Sequence, residues 1–142
     1  MPERARFHLA FPVLDLEEAR QFYINILGCA LGRESNCWID FDFYGHQIVA
    51  HKVDQMPHVL TNNVEGKQVP STHFGVLLDK ARWEALRDHL IAEKIEFLIN
   101  PHIRFEGAAG EQATMFISDP SGNGLEFKSF KSDADIFDPG IK

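Results

Sequence analysis

Phe7, Leu9, Phe11 and Val13 alternate with His8, Ala10 and Pro12, the period-two pattern of a strand with one buried face. The period changes at Asp15, a side chain suited to cap a helix N-terminus, with Glu18 three residues on as a capping-box partner. Ala19, Phe22, Tyr23, Ile26 and Leu27 then recur at helical spacing, and Gly28 follows where a helix end favours glycine. Short strands are predicted at Cys29–Arg33, Cys37–Phe43 and His46–Lys52. In the second of these Trp38 and Asp40 share one face, while Cys37, Ile39, Phe41 and Phe43 share the other. The first half therefore reads β-α-β-β-β.

The stretch from Asp54 to Pro70 has no sustained periodicity and carries Pro57, Asn62, Asn63, Gly66 and Pro70, so it reads as a linker. The second half then repeats the first. Thr72–Asp79 matches the opening strand, with His73 in the place of His8 and Asp79 in the place of Asp15. Trp83, Leu86, Leu90 and Ile91 form the stripe of a second helix. A strand at Ile95–Ile99, a polar and glycine-rich loop from Asn100 to Gly110, and strands at Ala113–Ser118 and Leu125–Phe130 complete the copy, with a turn at Asp119–Gly124. Residues 131–142 read as a loose tail. The expected organisation is one α+β domain over residues 1–142, with module 1 at about 5–53, a linker at about 54–70 and module 2 at about 71–130. The two tandem βαβββ modules are expected to form a curved mixed sheet. Each helix covers one face of its own sheet, which leaves the faces carrying His8 and His73 to meet across a shared cleft.

Composition narrows the function classes. The 142 residues carry a formal net charge of −7, which disfavours a nucleic-acid backbone as partner. No apolar run has the length of a membrane span, and the opening residues lack a signal-peptide core, so a cytoplasmic protein is expected. Cys29 and Cys37 are then expected as free, buried thiols.

Three ionisable side chains stand among apolar neighbours at matching places: His8 and His73 on the first strand of each copy, and Glu126 on the last strand of the second. Alternation turns Leu9, Phe74, Leu125 and Phe127 toward the helices and the three polar groups away from them. Two imidazoles and one carboxylate suit a divalent transition metal, Fe(II) first and Mn(II) as the alternative. A lone strand histidine is commonly structural; its recurrence in both copies is what favours ligation. His51 falls on the same face as Val49 and is a candidate base, fourth ligand or rim residue. Arg104, beside the long loop, is a candidate for holding an anionic substrate oxygen. Tyr23, Trp38 and Phe41 are expected in the core, and His46, His58, His89 and His102 receive no role.

Three stretches resemble the vicinal oxygen chelate superfamily, which includes glyoxalases, bleomycin and fosfomycin resistance proteins and extradiol dioxygenases. They are His8–Tyr23, Pro70–Val76 and Phe116–Lys128, and they span most of the chain. Trp38–Phe41, Gly45–His51 and Gly110–Phe116 resemble the small, single-chain members described as predicted extradiol dioxygenases. The resemblance implies paired βαβββ modules around a metal held by His8, His73 and Glu126. It also implies a small-molecule substrate bound through vicinal oxygens, and a homodimer. Glyoxalase I carries a further carboxylate on the last strand of its first copy; counting from the turn, Asp119 to Glu126 is seven residues, and seven past Asp42 is Val49. Valine cannot ligate, so the site resembles the branch with two histidines and one carboxylate. The implied activity is a metal-dependent extradiol dioxygenase. The alternatives are a glyoxalase-like or fosfomycin-resistance-like lyase, isomerase or transferase, and a non-catalytic binder of bleomycin-resistance type.

Overall fold

The computed structural model describes residues 4–141; the last residue of the predicted tail, Lys142, and the first three residues of the chain lie outside them. The described chain forms two compact units. The first runs up to His58 and includes Asp119–Asn123; the second comprises Val59–Ser118 and the chain from Gly124 on.

In the first unit, β1 (His8–Val13) leads through the Asp15 cap into α1 (Leu16–Arg20), and β2 (Ala30–Glu34), β3 (Trp38–Phe43) and β4 (His46–Lys52) follow. Asp15 Oδ1 accepts the Glu18 amide at 2.8 Å, satisfying one of the free donors of the first turn. The helix does not continue in α geometry to Gly28 as its periodicity predicts. From Gln21 to Ile26 it widens into a π-helical turn, with the Leu27 amide reaching back to the Phe22 carbonyl. The sheet order is β1-β4-β3-β2, with β1 and β4 parallel and the other pairs antiparallel. The buried face carries Phe11, Val13, Ile39, Phe41, Ile48 and Ala50 against Ala19, Phe22 and Tyr23. Tyr23 stacks on Phe41 at 5.1 Å between ring centres and donates its hydroxyl to Asp119 at 2.8 Å. Burial first, and then the Asp119 carboxylate, raise the Tyr23 phenol well above its ordinary value.

The second unit repeats this topology strand for strand. β7 (His73–Leu77), α2 (Lys80–Ala92), β8 (Phe97–Arg104), β9 (Gln112–Ser118) and β10 (Gly124–Phe130) give the order β7-β10-β9-β8, again with the first and last strands parallel. Asp79 caps α2 by accepting the Arg82 amide at 2.9 Å. Leu125, Phe127, Met115 and Ile117 pack with Trp83, Leu86 and Leu90, and the Trp83 indole donates to the Phe127 carbonyl at 2.9 Å. The α+β architecture of two βαβββ modules is thus present.

Five expectations are corrected. The segment 54–70 is not a plain linker, because its second half folds as a hairpin of β5 (Thr61–Val64) and β6 (Lys67–Pro70). Glu65 and Gly66 turn it with φ of 52° and 82°, Asn63 Oδ1 accepts the Gly66 amide, and Val69 and Val64 pack on Ile99 and Phe116. The strand predicted to stop at Ile99 runs on to Arg104, because β8 is an edge strand and Pro101 needs no ladder donor there. The tail is tied down in part, by the Lys131 amide on the Glu111 carbonyl and a 3-10 turn at Asp133–Asp135. Cys29 and Cys37 are both free, as expected, but only Cys29 is buried; Cys37 precedes β3 and is exposed. Trp38 is half-buried on the face opposite the core, beneath Arg33, whereas Tyr23 and Phe41 are core residues.

Candidate metal centre

β7 and β10 place two of the predicted ligands side by side. The parallel register sets Gly124 opposite His73 and Glu126 opposite Gly75. His73 Nε2 lies 3.5 Å from Glu126 Oε1. Two donors about 2.1 Å from one ion, subtending an ordinary coordination angle, stand roughly 3.0–3.4 Å apart, so this pair needs only a slight approach to share a cation. The other atoms of both groups are spoken for. His73 Nδ1 lies 2.9 Å from the Pro70 carbonyl, which can only accept, so Nδ1 carries a proton; in the neutral ring Nε2 then keeps its lone pair. Thr114 donates its hydroxyl to Glu126 Oε2 at 2.7 Å, leaving Oε1 toward His73. A neutral ring's Nε2 facing a carboxylate oxygen calls for positive charge, and Lys128 Nζ supplies some from 3.8 Å. The Phe116 ring meets His73 edge-on at 4.8 Å and restricts its rotation.

His8 stands in the first unit at the equivalent strand position, paired with Gln47 as His73 is paired with Gly124. The residue in register with Glu126 is consequently Val49, in agreement with the count along the sequence. His8 Nδ1 lies 2.7 Å from Gln47 Oε1. Gln47 Nε2 in turn donates to Asp40 Oδ2 at 3.2 Å, and Arg33 Nε reaches the same oxygen at 3.1 Å. Among the described residues, no three His, Cys, Asp or Glu side chains of the single chain are spaced to hold a metal ion.

His51 shares the His8 face, opposite Pro12 on β1 and Trp38 on β3. It is four residues along β4 from Gln47, roughly 13 Å at the rise of an extended strand. Arg104 is already engaged: its Nε lies 2.9 Å from Glu65 Oε1 in the hairpin turn, and its guanidinium sits over the Phe105 ring. His102 meets the other oxygen of Glu65 at 2.7 Å, although neither contact has the alignment of a hydrogen bond. A cavity of about 600 Å³ in the second unit opens elsewhere, lined by Asp79, Lys80, Gln112 and Lys131, and neither His73 nor Glu126 lines it.

Thr114, Gln47 and Asp40 were not singled out from the sequence. Thr114 carried a usable signal, a hydroxyl inside the apolar run Ala113–Ile117 on the strand beside Glu126. Gln47 carried none until its pairing with His8 was known.

Two matched four-stranded modules, with histidine on the first strand of each and a carboxylate on the last strand of one, define a vicinal-oxygen-chelate type of protein. The model of the Glyoxalase/Bleomycin resistance protein/Dioxygenase superfamily matches residues 6–127, and the chain belongs to that superfamily. It is 26% identical over 120 residues to the metallothiol transferase FosB of Lysinibacillus sphaericus, covering 84% of this chain and 78% of that protein. A glyoxalase/bleomycin resistance protein/dioxygenase from Alicyclobacillus acidocaldarius has a similar solved structure, with a TM-score of 0.81 and 36% identity over 94% of this chain and 96% of that one. The fosfomycin resistance protein FosX from Listeria monocytogenes shares the fold, with a TM-score of 0.67 and 16% identity over 90% of this chain and 94% of that one.

Proposed function

We propose that this chain is a metal-dependent enzyme that opens or rearranges a small, oxygen-bearing electrophile, in the manner of a fosfomycin-resistance or glyoxalase-type protein. The observation that carries the reading is the His73–Glu126 pair, with Nε2 and Oε1 turned toward each other 3.5 Å apart. The match to a metallothiol transferase supports thiol transfer to an electrophile over oxidative ring cleavage, the reaction first expected from the sequence. His8, His73 and Glu126 would hold the ion, for which Mn(II) fits the nitrogen and oxygen donors as well as Fe(II) does. A divalent cation there supplies Lewis-acid polarisation of a substrate oxygen. The Pro70 carbonyl and Thr114 keep His73 and Glu126 oriented. His51 would act on substrate rather than on the ion, and Arg104 could bind an anionic group only by exchanging Glu65 for it.

The assembly proposed is a homodimer. Membership of the superfamily supports it, and a second copy is proposed as the source of the remaining histidine. The decisive assay follows fosfomycin by phosphorus NMR with Mn(II)-loaded protein and a panel of thiols, alongside the glutathione–methylglyoxal adduct and catechols with an oxygen electrode. Consumption of the epoxide or the adduct that is lost in Glu126→Gln supports the reading. Oxygen uptake with a catechol and no other turnover would return the assignment to a dioxygenase.

A further inference from the structure

We infer that Gln47, fixed by Asp40, is a positioning residue that sets the proton of His8 and so makes Nε2 the ligating nitrogen. The inference rests on the proposed metal role of His8 and deepens it.

The direction of the chain of contacts follows from what each group can do. Asp40 is almost fully buried, and its carboxylate only accepts; its Oδ2 accepts a hydrogen bond from Arg33 Nε at 3.1 Å. The Gln47 group turned toward that same oxygen must therefore be the amide nitrogen, at 3.2 Å. With the nitrogen committed, Gln47 presents Oε1 to His8, and a 2.7 Å approach of His8 Nδ1 to an acceptor requires Nδ1–H. The neutral ring then has its lone pair on Nε2. His73 reaches the same tautomer by another route, through the Pro70 carbonyl. Both imidazoles are thus held with Nδ1 as donor and Nε2 bare, although one partner is a backbone oxygen and the other a side-chain amide. A glutamine free to turn over would not enforce this. The buried Asp40, a costly residue to keep in a sheet without partners, is what prevents the turn.

The test reads the tautomer directly in metal-free, nitrogen-15-labelled protein, using long-range proton–nitrogen spectra with His8→Ala to assign the ring. Wild type is expected to show His8 as the Nδ1–H form. Gln47→Met should move it toward the Nε2–H form of an unrestrained histidine and weaken Mn(II) binding roughly 10–100-fold, the usual effect of removing a ligand's outer partner. Asp40→Asn should lose the bias as well. The double variant Asp40→Asn with Gln47→Glu restores a pure acceptor held by an amide donor, and should recover both the tautomer and the affinity. Persistence of Nδ1–H in Gln47→Met would overturn the inference. Unchanged Mn(II) affinity in His8→Ala would instead overturn the metal role on which it rests, whatever the tautomer result.

Discussion

Glu126 is a largely buried carboxylate with a division of labour between its oxygens: Oε2 accepts from Thr114, and Oε1 faces His73 and Lys128. Removing the hydroxyl in Thr114→Val keeps the shape of the side chain but frees Oε2 to rotate. Mn(II) affinity measured by calorimetry is expected to fall about tenfold, with the fold unchanged by circular dichroism. The two thiols differ as sharply. Burial, helped by the Asp42 charge, pushes Cys29 from 9.0 up to about 12, so it stays protonated and unreactive near neutrality. A chromogenic disulfide reagent at pH 7.5 should titrate one thiol, Cys37, and reach the second only in denaturant. The sign of the pH effect follows. The folded state favours the protonated thiol, so its contribution to stability is complete below pH 9 and is lost as pH rises toward about 12. Buried Tyr23, also raised, adds to the alkaline loss. Cys29→Ala should flatten the dependence of urea midpoint on pH over that range.

At the scale of elements, the pairing of β7 with β10 fixes the distance between His73 and Glu126, and Gly75 permits that pairing. A Cβ on Gly75 would stand 1.6 Å from the Glu126 carbonyl oxygen, closer than any real contact. Gly75→Ala is therefore expected to force the strands apart, costing about 3 kcal/mol or more. Thermal melting and Mn(II) titration should both report it, whereas Gly66→Ala in the hairpin turn should change the melting temperature alone. The strands that carry the candidate ligands were legible in sequence because each alternates one apolar and one polar face, and the duplicate of each was there for comparison. The β5–β6 hairpin was not. Thr61, Asn62 and Asn63 are exposed, so the segment shows little hydrophobic period, and Glu65 occupies a left-handed turn position where glycine or asparagine would have been the signal. The extension of β8 was hidden by Pro101, which reads as a break unless the strand is known to lie at an edge. His8, His73 and Glu126 were legible as candidates, but their supporting groups were not. An amide, a hydroxyl and a backbone carbonyl acquire meaning only through register.

For the molecule as a whole, the proposal of a shared site makes a prediction that a self-contained site would not. His8→Ala and Glu126→Ala are each expected to abolish metal binding. If donors come from two copies, equal mixing after a cycle of dissociation should restore about a quarter of the sites, since half the dimers are mixed and each holds one intact set. Sedimentation at the same concentrations checks that dimers are present; no recovery among exchanging dimers would place all three donors in one chain.

Asp119–Asn123 belongs to the first unit, though it lies more than 60 residues beyond the rest of that unit in the chain. Asp119 accepts the hydroxyl of Tyr23, Ser121 accepts the Leu14 amide, and Asn123 donates to the Pro12 carbonyl. During synthesis the ribosome therefore releases an amino-terminal half that has its strands and helix but lacks the acceptor for its buried tyrosine. At ordinary rates of elongation the wait lasts on the order of 3–13 s. A stalled nascent chain ending near His58 should remain sensitive to protease, and one extended well past Asn123 should not. Translation past that turn, rather than completion of the first module, is the event that closes the amino-terminal half.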